Sequence, residues 1–142
     1  MTPSKAPVGV APVVTAESAP FWEAAARGEL LVERCSACGH YVFPPRGVCA
    51  KCGGRQLTYV PVEGTGRIYS FTVNYNSWMP GMEVPYVLAL VEFPEYPGFR
   101  VLGRLRGFDP DVVAIGTEVG IGFEPGPNEL SIPSFLPVVG LQ

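Results

Sequence analysis

The sequence is poor in the residues that nucleic-acid-binding proteins use for phosphate contacts and that many enzymes use for proton transfer. Its 142 residues include one histidine, His40, and two lysines, and charged residues make up only 16% of the chain. The formal net charge is −3 at pH 7. Because phosphate contacts dominate nucleic-acid affinity and require concentrated Lys and Arg, nucleic acid is not the expected partner.

Long apolar runs are absent as well. No stretch reaches 18 apolar residues, so a membrane-spanning helix is not predicted. The first 18 residues carry one Lys and three Pro, a pattern typical of neither a signal peptide nor a targeting helix. We therefore expect a cytoplasmic protein. Since 47% of the residues are hydrophobic, disorder is not expected, and the low charge suggests that a partner covers apolar surface.

The chain begins with a region rich in Pro, Ala and Val, and residues 1–17 are predicted to be a flexible arm. A short helix should follow, with Ser18 or Ala19 at its cap, Pro20 in its first turn and Gly28 after its end. Helical spacing places one apolar face on this helix, made of Phe21, Trp22, Ala25 and Ala26. About two turns are too few for stability in isolation. The helix must dock either on its own domain or on a partner, and Phe21 and Trp22 are candidate partner contacts.

Residues 18–56 contain two matching cysteine pairs, and we assign the helix and these pairs to one unit. Cys35 and Cys38 form one CxxC knuckle followed by Gly39, and Cys49 and Cys52 form another followed by Gly53. Each knuckle can direct two sulfurs at one ion, and the intervening residues suffice for a hairpin that brings the knuckles together. Four thiolates suit a closed structural zinc site, one zinc ion per chain.

Other uses of the four cysteines remain open at this stage. Two disulfides are possible in a secreted protein, but no signal sequence is predicted. Iron of the rubredoxin type also binds to paired CxxC knuckles. A redox dithiol would be expected beside a βαβ unit, which the sequence lacks. His40 lies close to the first knuckle, and we interpret it as a surface residue because four sulfurs already fill the site.

Residues 57–142 change to a pattern of short strands separated by Gly and Pro. Residues 67–76 alternate, with Ile68, Ser70 and Thr72 on one face and Tyr69, Phe71 and Val73 on the other. Residues 109–116 are predicted to form one helical turn, with Asp109 as its cap and Pro110 at its first position. About five principal strands with a late helical break favour a five-stranded barrel of the OB type.

A catalytic set is not evident in this sequence. The single histidine lies within the first knuckle, the cysteines are assigned to metal, and Gly64-Thr65-Gly66 lacks the features of a nucleotide-binding loop. We therefore predict no catalytic residue and no turnover by the chain alone.

One connection carries unusual residues for a loop. Residues 74–82 join two predicted strands and hold Tyr75, Trp78, Met79 and Met82. Aromatic and Met side chains are enriched at interfaces. The loop either folds over the barrel mouth or extends toward a partner or ligand. We treat Tyr75, Trp78 and Met79 as candidates near a substrate, and Trp78 and Met82 as candidate partner contacts.

Taken together in this order, the segments resemble the DUF35 family. Residues 21–54 are similar to its N-terminal helix and rubredoxin-like zinc ribbon, and the segments GTGRIYSFTV, PYVLALVEFPE and DVVAIGTEVGIGFE resemble its OB barrel. The resemblance runs from about Ser18 to about Val139. It implies a mainly β protein with a short N-terminal helix, a four-cysteine zinc ribbon and a five-stranded OB-fold barrel.

The resemblance also implies a partner. DUF35 proteins work beside thiolase-superfamily enzymes, whose catalytic subunit binds the acyl-CoA and supplies the reacting side chains. It implies a non-catalytic subunit of a lipid-transfer-protein-type aldolase that removes the side chain of a steroidyl-CoA. Alternatives are partners of acetyl-CoA acetyltransferase with hydroxymethylglutaryl-CoA synthase, and of polyketide acyltransferases. Two copies of each chain are expected, and Arg46 is a candidate contact for CoA phosphates or for a partner carboxylate.

A more remote alternative is an OB-fold module for single-stranded nucleic acid, with Tyr69, Phe71 and Tyr75 stacking bases. The low density of basic residues opposes it. An independent acyl-CoA enzyme or carrier is a further alternative, which turnover by the purified chain would establish.

Overall fold

The computed structural model describes residues 10–138, so residues 1–9 of the predicted arm and residues 139–142 lie outside the described part. That part forms one α-helix, one short 3-10 helix at Pro127–Glu129 and eight strands. These are α1 (Ala19–Ala26), β1 (Leu31–Cys35), β2 (Tyr41–Val42), β3 (Leu57–Pro61), β4 (Thr65–Asn74), β5 (Tyr86–Glu92), β6 (Arg100–Leu105), β7 (Glu118–Pro125) and β8 (Ser131–Pro137). Within residues 10–138, no helix has the length and apolar character needed to cross a membrane.

The chain enters α1 through a hydrogen-bonded turn between Thr15 and Ser18. The backbone N–H of Thr15 donates to the Ser18 hydroxyl at 2.9 Å, and the backbone N–H of Ser18 donates to the Thr15 hydroxyl at 3.2 Å. Ser18 occupies the predicted cap position, but its hydroxyl bonds to Thr15 rather than to the first helical N–H groups. The prediction of Ser18 as the position before the helix is confirmed, and the turn fixes the end of the arm to the helix.

The apolar face of α1 is turned toward the protein's own strands. Phe21, Ala24 and Ala25 are buried, whereas Ala26 is exposed, so Ala24 replaces Ala26 on the predicted face. The helix packs on β1 and β8. Of the two expected docking modes, the structure therefore has the helix on its own domain, where a two-turn helix gains stability from tertiary contacts.

The ribbon contains a three-stranded antiparallel sheet in the order β2-β1-β3. In this sheet Glu33 of β1 faces Val42 of β2 on one side and Tyr59 of β3 on the other. The predicted boundary at residue 57 assigns β3 to the barrel, but all of its recorded strand pairing is with β1. The ribbon sheet therefore extends to residue 61.

The remaining five strands form a closed barrel in the order β4-β5-β6-β8-β7. This is the OB fold, and it confirms the prediction of a five-stranded barrel. One apolar core connects the barrel with α1 and the ribbon sheet, through Phe21, Leu30, Val32 and Val62. Gly103 lies directly under the ring of Phe135, where a Cβ atom would come within 2.7 Å of a ring carbon. Because they share this core, the helix, ribbon and barrel pack as one body.

The predicted faces of β4 are wrong in their second half. A register shift between Ile68 and Ser70 inserts one extra residue, as in a β-bulge. Ile68 is buried, and after the shift Phe71 and Val73 also pack on the core, while Tyr69 is exposed. A single extra residue moves all following side chains to the opposite face, which strict alternation from the sequence does not anticipate.

The helical turn predicted at residues 109–116 is also wrong, because the structure has turns and bends there. Asp109 acts locally as expected: its carboxylate accepts the N–H of Asp111 at 2.9 Å, and its carbonyl accepts the N–H of Val112 at 3.1 Å. Val112 and Ile115 of this segment are 73% and 68% exposed, whereas Val113 packs against the core.

Candidate functional site

The two knuckles bring all four cysteines to one point, as predicted. The four Sγ atoms lie within 4.8 Å of one another. The pairs Cys35–Cys52 and Cys38–Cys49 are each 3.6 Å apart between sulfurs. Tetrahedral coordination with Zn–S bonds of about 2.3 Å places sulfurs roughly 3.8 Å apart, so the cluster has the dimensions of a zinc tetrathiolate.

The same distances exclude the alternative of two disulfides. A disulfide requires sulfurs about 2.05 Å apart, and the four cysteines are free. Cys35 and Cys49 are buried, whereas Cys38 and Cys52 are exposed. The cluster therefore has a buried side and a solvent-exposed side. A metal ion bound to all four sulfurs would link the interior of the ribbon to its surface.

Backbone N–H groups favour the thiolate form of the buried cysteines. The N–H of Cys52, assisted by that of Lys51, lowers the pKa of the Cys49 thiol to about 7. The N–H of Cys38 likewise lowers the pKa of Cys35. At Cys52 the N–H of Gly54 lowers the pKa, but the neighbouring sulfurs of Cys35 and Cys38 outweigh it and raise the value to about 11. Four thiols this close cannot all ionise alone, and a divalent cation supplies the missing positive charge. The donor set thus fits a structural zinc ion.

His40 lies outside this metal-ligand set. It is half-buried and packs against Gly98, where an added Cβ would be 3.0 Å from the imidazole Cε1. The interpretation of His40 as a surface residue that is not a ligand agrees with the four-cysteine cluster, although its side chain is half-buried.

Arg46 lies on a loop whose backbone is hydrogen-bonded to a buried carboxylate. Glu33 is only 3% exposed, and its Oε1 accepts the backbone N–H groups of Arg46 at 2.7 Å and Gly47 at 3.2 Å. The Arg46 side chain is exposed and forms no ion pair with any of the described residues. Sequence analysis did not identify Glu33. A charged residue in the apolar strand LLVERC was the available signal.

Tyr59 completes this arrangement. It faces Glu33 across the ribbon sheet, and its hydroxyl donates a hydrogen bond to the carbonyl of Glu17 in the turn before α1. Burial, with the nearby charges of Glu33 and Glu17, raises the pKa of Tyr59. Buried Glu33 thus holds the loop that carries Arg46, and half-buried Tyr59 holds the arm.

The loop between β4 and β5 presents the predicted aromatic residues to solvent. Trp78 is 69% exposed and Tyr75 is 65% exposed, while Met79 and Met82 are half-buried. The Ser77 hydroxyl holds the loop together by donating to the carbonyls of Met79 at 2.8 Å and Met82 at 3.1 Å. Among the described residues the structure therefore favours the extended loop over one folded across the barrel mouth.

The helix candidates separate into a buried and an accessible residue. Phe21 is 4% exposed and belongs to the protein's own core, so its expected role as a direct partner contact is corrected. Trp22 is half-buried and lies edge-on to Phe21, with ring centroids 4.9 Å apart. It lines an apolar groove between the helix and the barrel.

The residues proposed for base stacking do not form one platform. Tyr69 is covered by the guanidinium of Arg100, 3.6 Å from its ring centroid, and Phe71 packs on the core. Tyr75 lies in the loop beyond the strand. The three rings therefore do not offer the continuous surface that single-stranded nucleic acid requires.

Family models match both parts of the chain. Residues 22–58 match the model described as ChsH2, rubredoxin-like zinc ribbon domain. Residues 59–124 match the model described as ChsH2, C-terminal OB-fold domain. These matches agree with the four-cysteine cluster and the closed barrel.

Two of the curated relatives are much longer proteins. A protein of Thermomonospora curvata described as "Probable enoyl-CoA hydratase alpha subunit" is 37% identical over 128 residues, which are 90% of this chain and 40% of that protein. The 3-oxo-4,17-pregnadiene-20-carboxyl-CoA hydratase alpha subunit of Mycobacterium tuberculosis is 39% identical over 108 residues, 76% of this chain and 34% of that one. The chain therefore spans well under half the length of these relatives.

Two further relatives are closer in length. The benzoylsuccinyl-CoA thiolase subunit BbsA of Thauera aromatica is 34% identical over 74 residues, 52% of this chain and 49% of that subunit. A solved chain of the Ltp2-ChsH2(DUF35) aldolase superposes with a TM-score of 0.79 at 36% identity, and the match covers 89% of this chain and 98% of that chain. Sequence identity and shape thus agree over nearly the whole solved chain, and the protein belongs to the DUF35 family of zinc-ribbon and OB-fold proteins.

Proposed function

We propose that this chain is a non-catalytic subunit of a thiolase-superfamily enzyme that acts on acyl-CoA thioesters. The observation that carries the proposal is the match to the Ltp2-ChsH2(DUF35) aldolase chain, 98% of which is covered at a TM-score of 0.79. The BbsA relative is itself described as a subunit of a thiolase. The names of both relatives, an Ltp2-ChsH2(DUF35) aldolase and a thiolase subunit, support a role beside a catalytic chain.

The side chains of this protein support a division of labour. Its only histidine packs against Gly98, and its four cysteines converge on the metal site. A thiolase-type reaction needs a nucleophile or base beside the acyl group. The catalytic chain would supply that group, while this chain would shape and close the site.

For the reaction, we propose retro-aldol cleavage of a steroidyl-CoA side chain. In such a step the bond between the α and β carbons of a β-hydroxyacyl-CoA breaks. The β-hydroxyl loses its proton to a base and becomes a carbonyl, and the α carbon takes up a proton. The steroid-named relative of Mycobacterium tuberculosis and the aldolase match favour this substrate class over acetyltransferase and polyketide complexes.

Each part of the chain has a proposed place in the complex. The zinc would hold the ribbon rigid, and the ribbon and helix would form the docking side. The exposed loop with Tyr75, Trp78 and Met79 would close one side of the acyl channel and exclude water from it. Two copies of this chain on a homodimer of the catalytic chain complete the proposed assembly.

Reconstitution tests this function. Each chain alone should be inactive, and the two together should release a ketone and a shortened acyl-CoA from a β-hydroxy steroidyl-CoA. Replacing the substrate with acetyl-CoA tests the acetyltransferase alternative in the same complex. Turnover by this chain alone, or full activity of the thiolase-type chain without it, would refute the proposal.

A further inference from the structure

The strongest unassigned feature is an apolar groove of about 410 Å³, which we call the seam groove. It lies between the end of the arm, α1, the proline loop after β2, and strands β6 and β8. Its lining residues include Trp22, Pro44, Pro45, Leu102 and Ile132.

The groove forms where strands β6 and β8 diverge from each other. Their parallel pairing is limited to Arg104 with Ser134 and Leu105 with Phe135. Leu102 lies two residues before Arg104 on β6, and Ile132 lies two residues before Ser134 on β8. Both residues lie outside the paired part of the two strands and line the groove. Helix α1 covers the inner end of this opening with Phe21, whereas Leu102 remains 60% exposed at its mouth.

The groove is suited to an apolar occupant. None of its lining residues is charged, and its two hydroxyls, those of Thr15 and Ser18, are hydrogen-bonded to each other at 3.2 Å. A polar ligand would find few free partners inside. Indole and proline side chains beside exposed Leu and Val have the composition of a protein-binding surface, in which a few buried anchors carry most of the affinity.

Two walls of the groove are held by hydrogen bonds of Glu33 and Tyr59. Glu33 holds the loop of Pro44 and Pro45 through the N–H groups of Arg46 and Gly47. Tyr59 holds the arm through the carbonyl of Glu17. The groove is therefore preorganised, which reduces the entropic cost of filling it.

An exposed cation, Arg46, lies beside the groove, in the loop where the Glu17 side chain packs against Gly47. Arg46 follows directly after Pro45, and residues 34–62 contain Arg34, Arg46, Lys51 and Arg55 but no acidic residue, in a chain of net charge −3. The exposed Arg46 guanidinium has no ion-pair partner among the described residues. A carboxylate on the occupant would complement it, and Arg can bind a carboxylate through two hydrogen bonds.

We propose that the seam groove receives an apolar peptide segment of the catalytic chain, and that an Asp or Glu next to this segment pairs with Arg46. This inference rests on the proposed function, since it assigns the face on which the partner docks. Glu33 and Tyr59 act as positioning residues for the two groove walls.

Affinity measurements on the purified two-chain complex test the inference. Leu102→Asp places a charge at the groove mouth on an exposed side chain, so folding should be retained and the dissociation constant should rise about 10- to 100-fold. Arg46→Glu should raise it about tenfold and flatten its salt dependence. Matched controls are Val112→Asp, at a similarly exposed apolar residue outside the groove, and Arg55→Glu, at another exposed ribbon arginine. Both controls should bind like the wild type.

Glu33 provides a test of positioning. Glu33→Gln keeps an oxygen acceptor below the loop and should bind nearly as well as the wild type, whereas Glu33→Ala should bind more weakly at unchanged zinc content. Wild-type affinity of both Leu102→Asp and Arg46→Glu would overturn the inference while leaving the subunit function intact. Unchanged affinity with a raised KM for acyl-CoA would also overturn it, by making the groove a substrate site. Failure of the wild-type chains to associate would instead refute the proposed function itself.

Discussion

Arg104 on β6 and Glu124 on β7 form a two-point ion pair across the intervening strand β8. The Arg104 Nε donates to one carboxylate oxygen at 3.1 Å and its Nη2 donates to the other at 2.7 Å. Beside them, the Arg106 Nε donates to the hydroxyl of Ser134 on β8 at 2.9 Å. These side chains connect the end of β6 with β7 and β8, at the place where the β6–β8 ladder has only two residue pairs.

We expect Arg104→Ala to lower the free energy of unfolding by about 1 kcal/mol, because the pair is bidentate but partly exposed. Glu124→Gln should cost a similar amount, and the double variant should cost less than the sum. Urea unfolding measures all three. Arg27→Ala, which breaks a more exposed pair with Glu29, is the control and should be nearly neutral. Equal losses of unfolding free energy in Arg27→Ala and Arg104→Ala would contradict the stabilising role of the Arg104–Glu124 pair.

Tyr59 should make stability fall in alkaline solution. Its pKa is raised in the folded protein, so the folded state keeps the phenol proton at pH values where the unfolded chain has lost it. The stabilisation that Tyr59 gives the folded state is therefore complete below the ordinary tyrosine pKa of about 10. It is lost as the pH rises through the pKa of Tyr59 in the folded protein. The difference in urea midpoint between the wild type and Tyr59→Phe, followed from pH 8 to pH 11, should shrink. A constant difference would show that the phenol does not titrate in this way.

Loss of one cysteine ligand should unfold the ribbon. Cys38→Ser leaves three thiolates for the metal, and we expect loss of zinc and of the ribbon fold, with loss of partner binding as a consequence. Metal content by mass spectrometry and tryptophan fluorescence report the two effects. Ala37→Ser, an exposed change in the same knuckle, should keep one zinc per chain. Unchanged metal content and complex formation in Cys38→Ser would refute the structural role of zinc.

Trp78 should matter to the complex and not to the fold. Since its side chain is 69% exposed, Trp78→Ala should leave the unfolding midpoint unchanged. In the two-chain enzyme the same variant should weaken association or reduce turnover by about tenfold. Val112→Ala is a control of similar exposure. If Trp78→Ala behaves like the wild type in both assays, the loop is not part of the functional surface.

Features set by local spacing were accessible from the sequence. The CxxC spacing was sufficient to predict the four-cysteine cluster, and strand patterns separated by Gly and Pro were sufficient to predict five barrel strands. The bulge after Ile68 was not accessible, because one inserted residue reverses all later faces without changing composition. The choice of Ala24 over Ala26 on α1 depends on where β1 and β8 lie, which helical periodicity alone does not specify.

The surface assigned here to the partner depends on contacts that are distant in sequence. Glu33 is recognisable as a positioning residue only once its bonds to Arg46 and Gly47 are known. The seam groove combines five separate segments of the chain, from Pro12 in the arm to Pro133 in β8. Composition suggested that some apolar surface is covered, but only the three-dimensional arrangement reveals the groove proposed for it.

In the proposed function, this chain works as a zinc-bearing subunit of a thiolase-superfamily enzyme. Native mass spectrometry of the tagged protein, isolated from its own source cells, tests this role. We predict a complex of two copies of this chain with two copies of a thiolase-superfamily chain, carrying one zinc ion per copy of this protein. A zinc-bound monomer or self-dimer with no thiolase-superfamily companion would contradict the account.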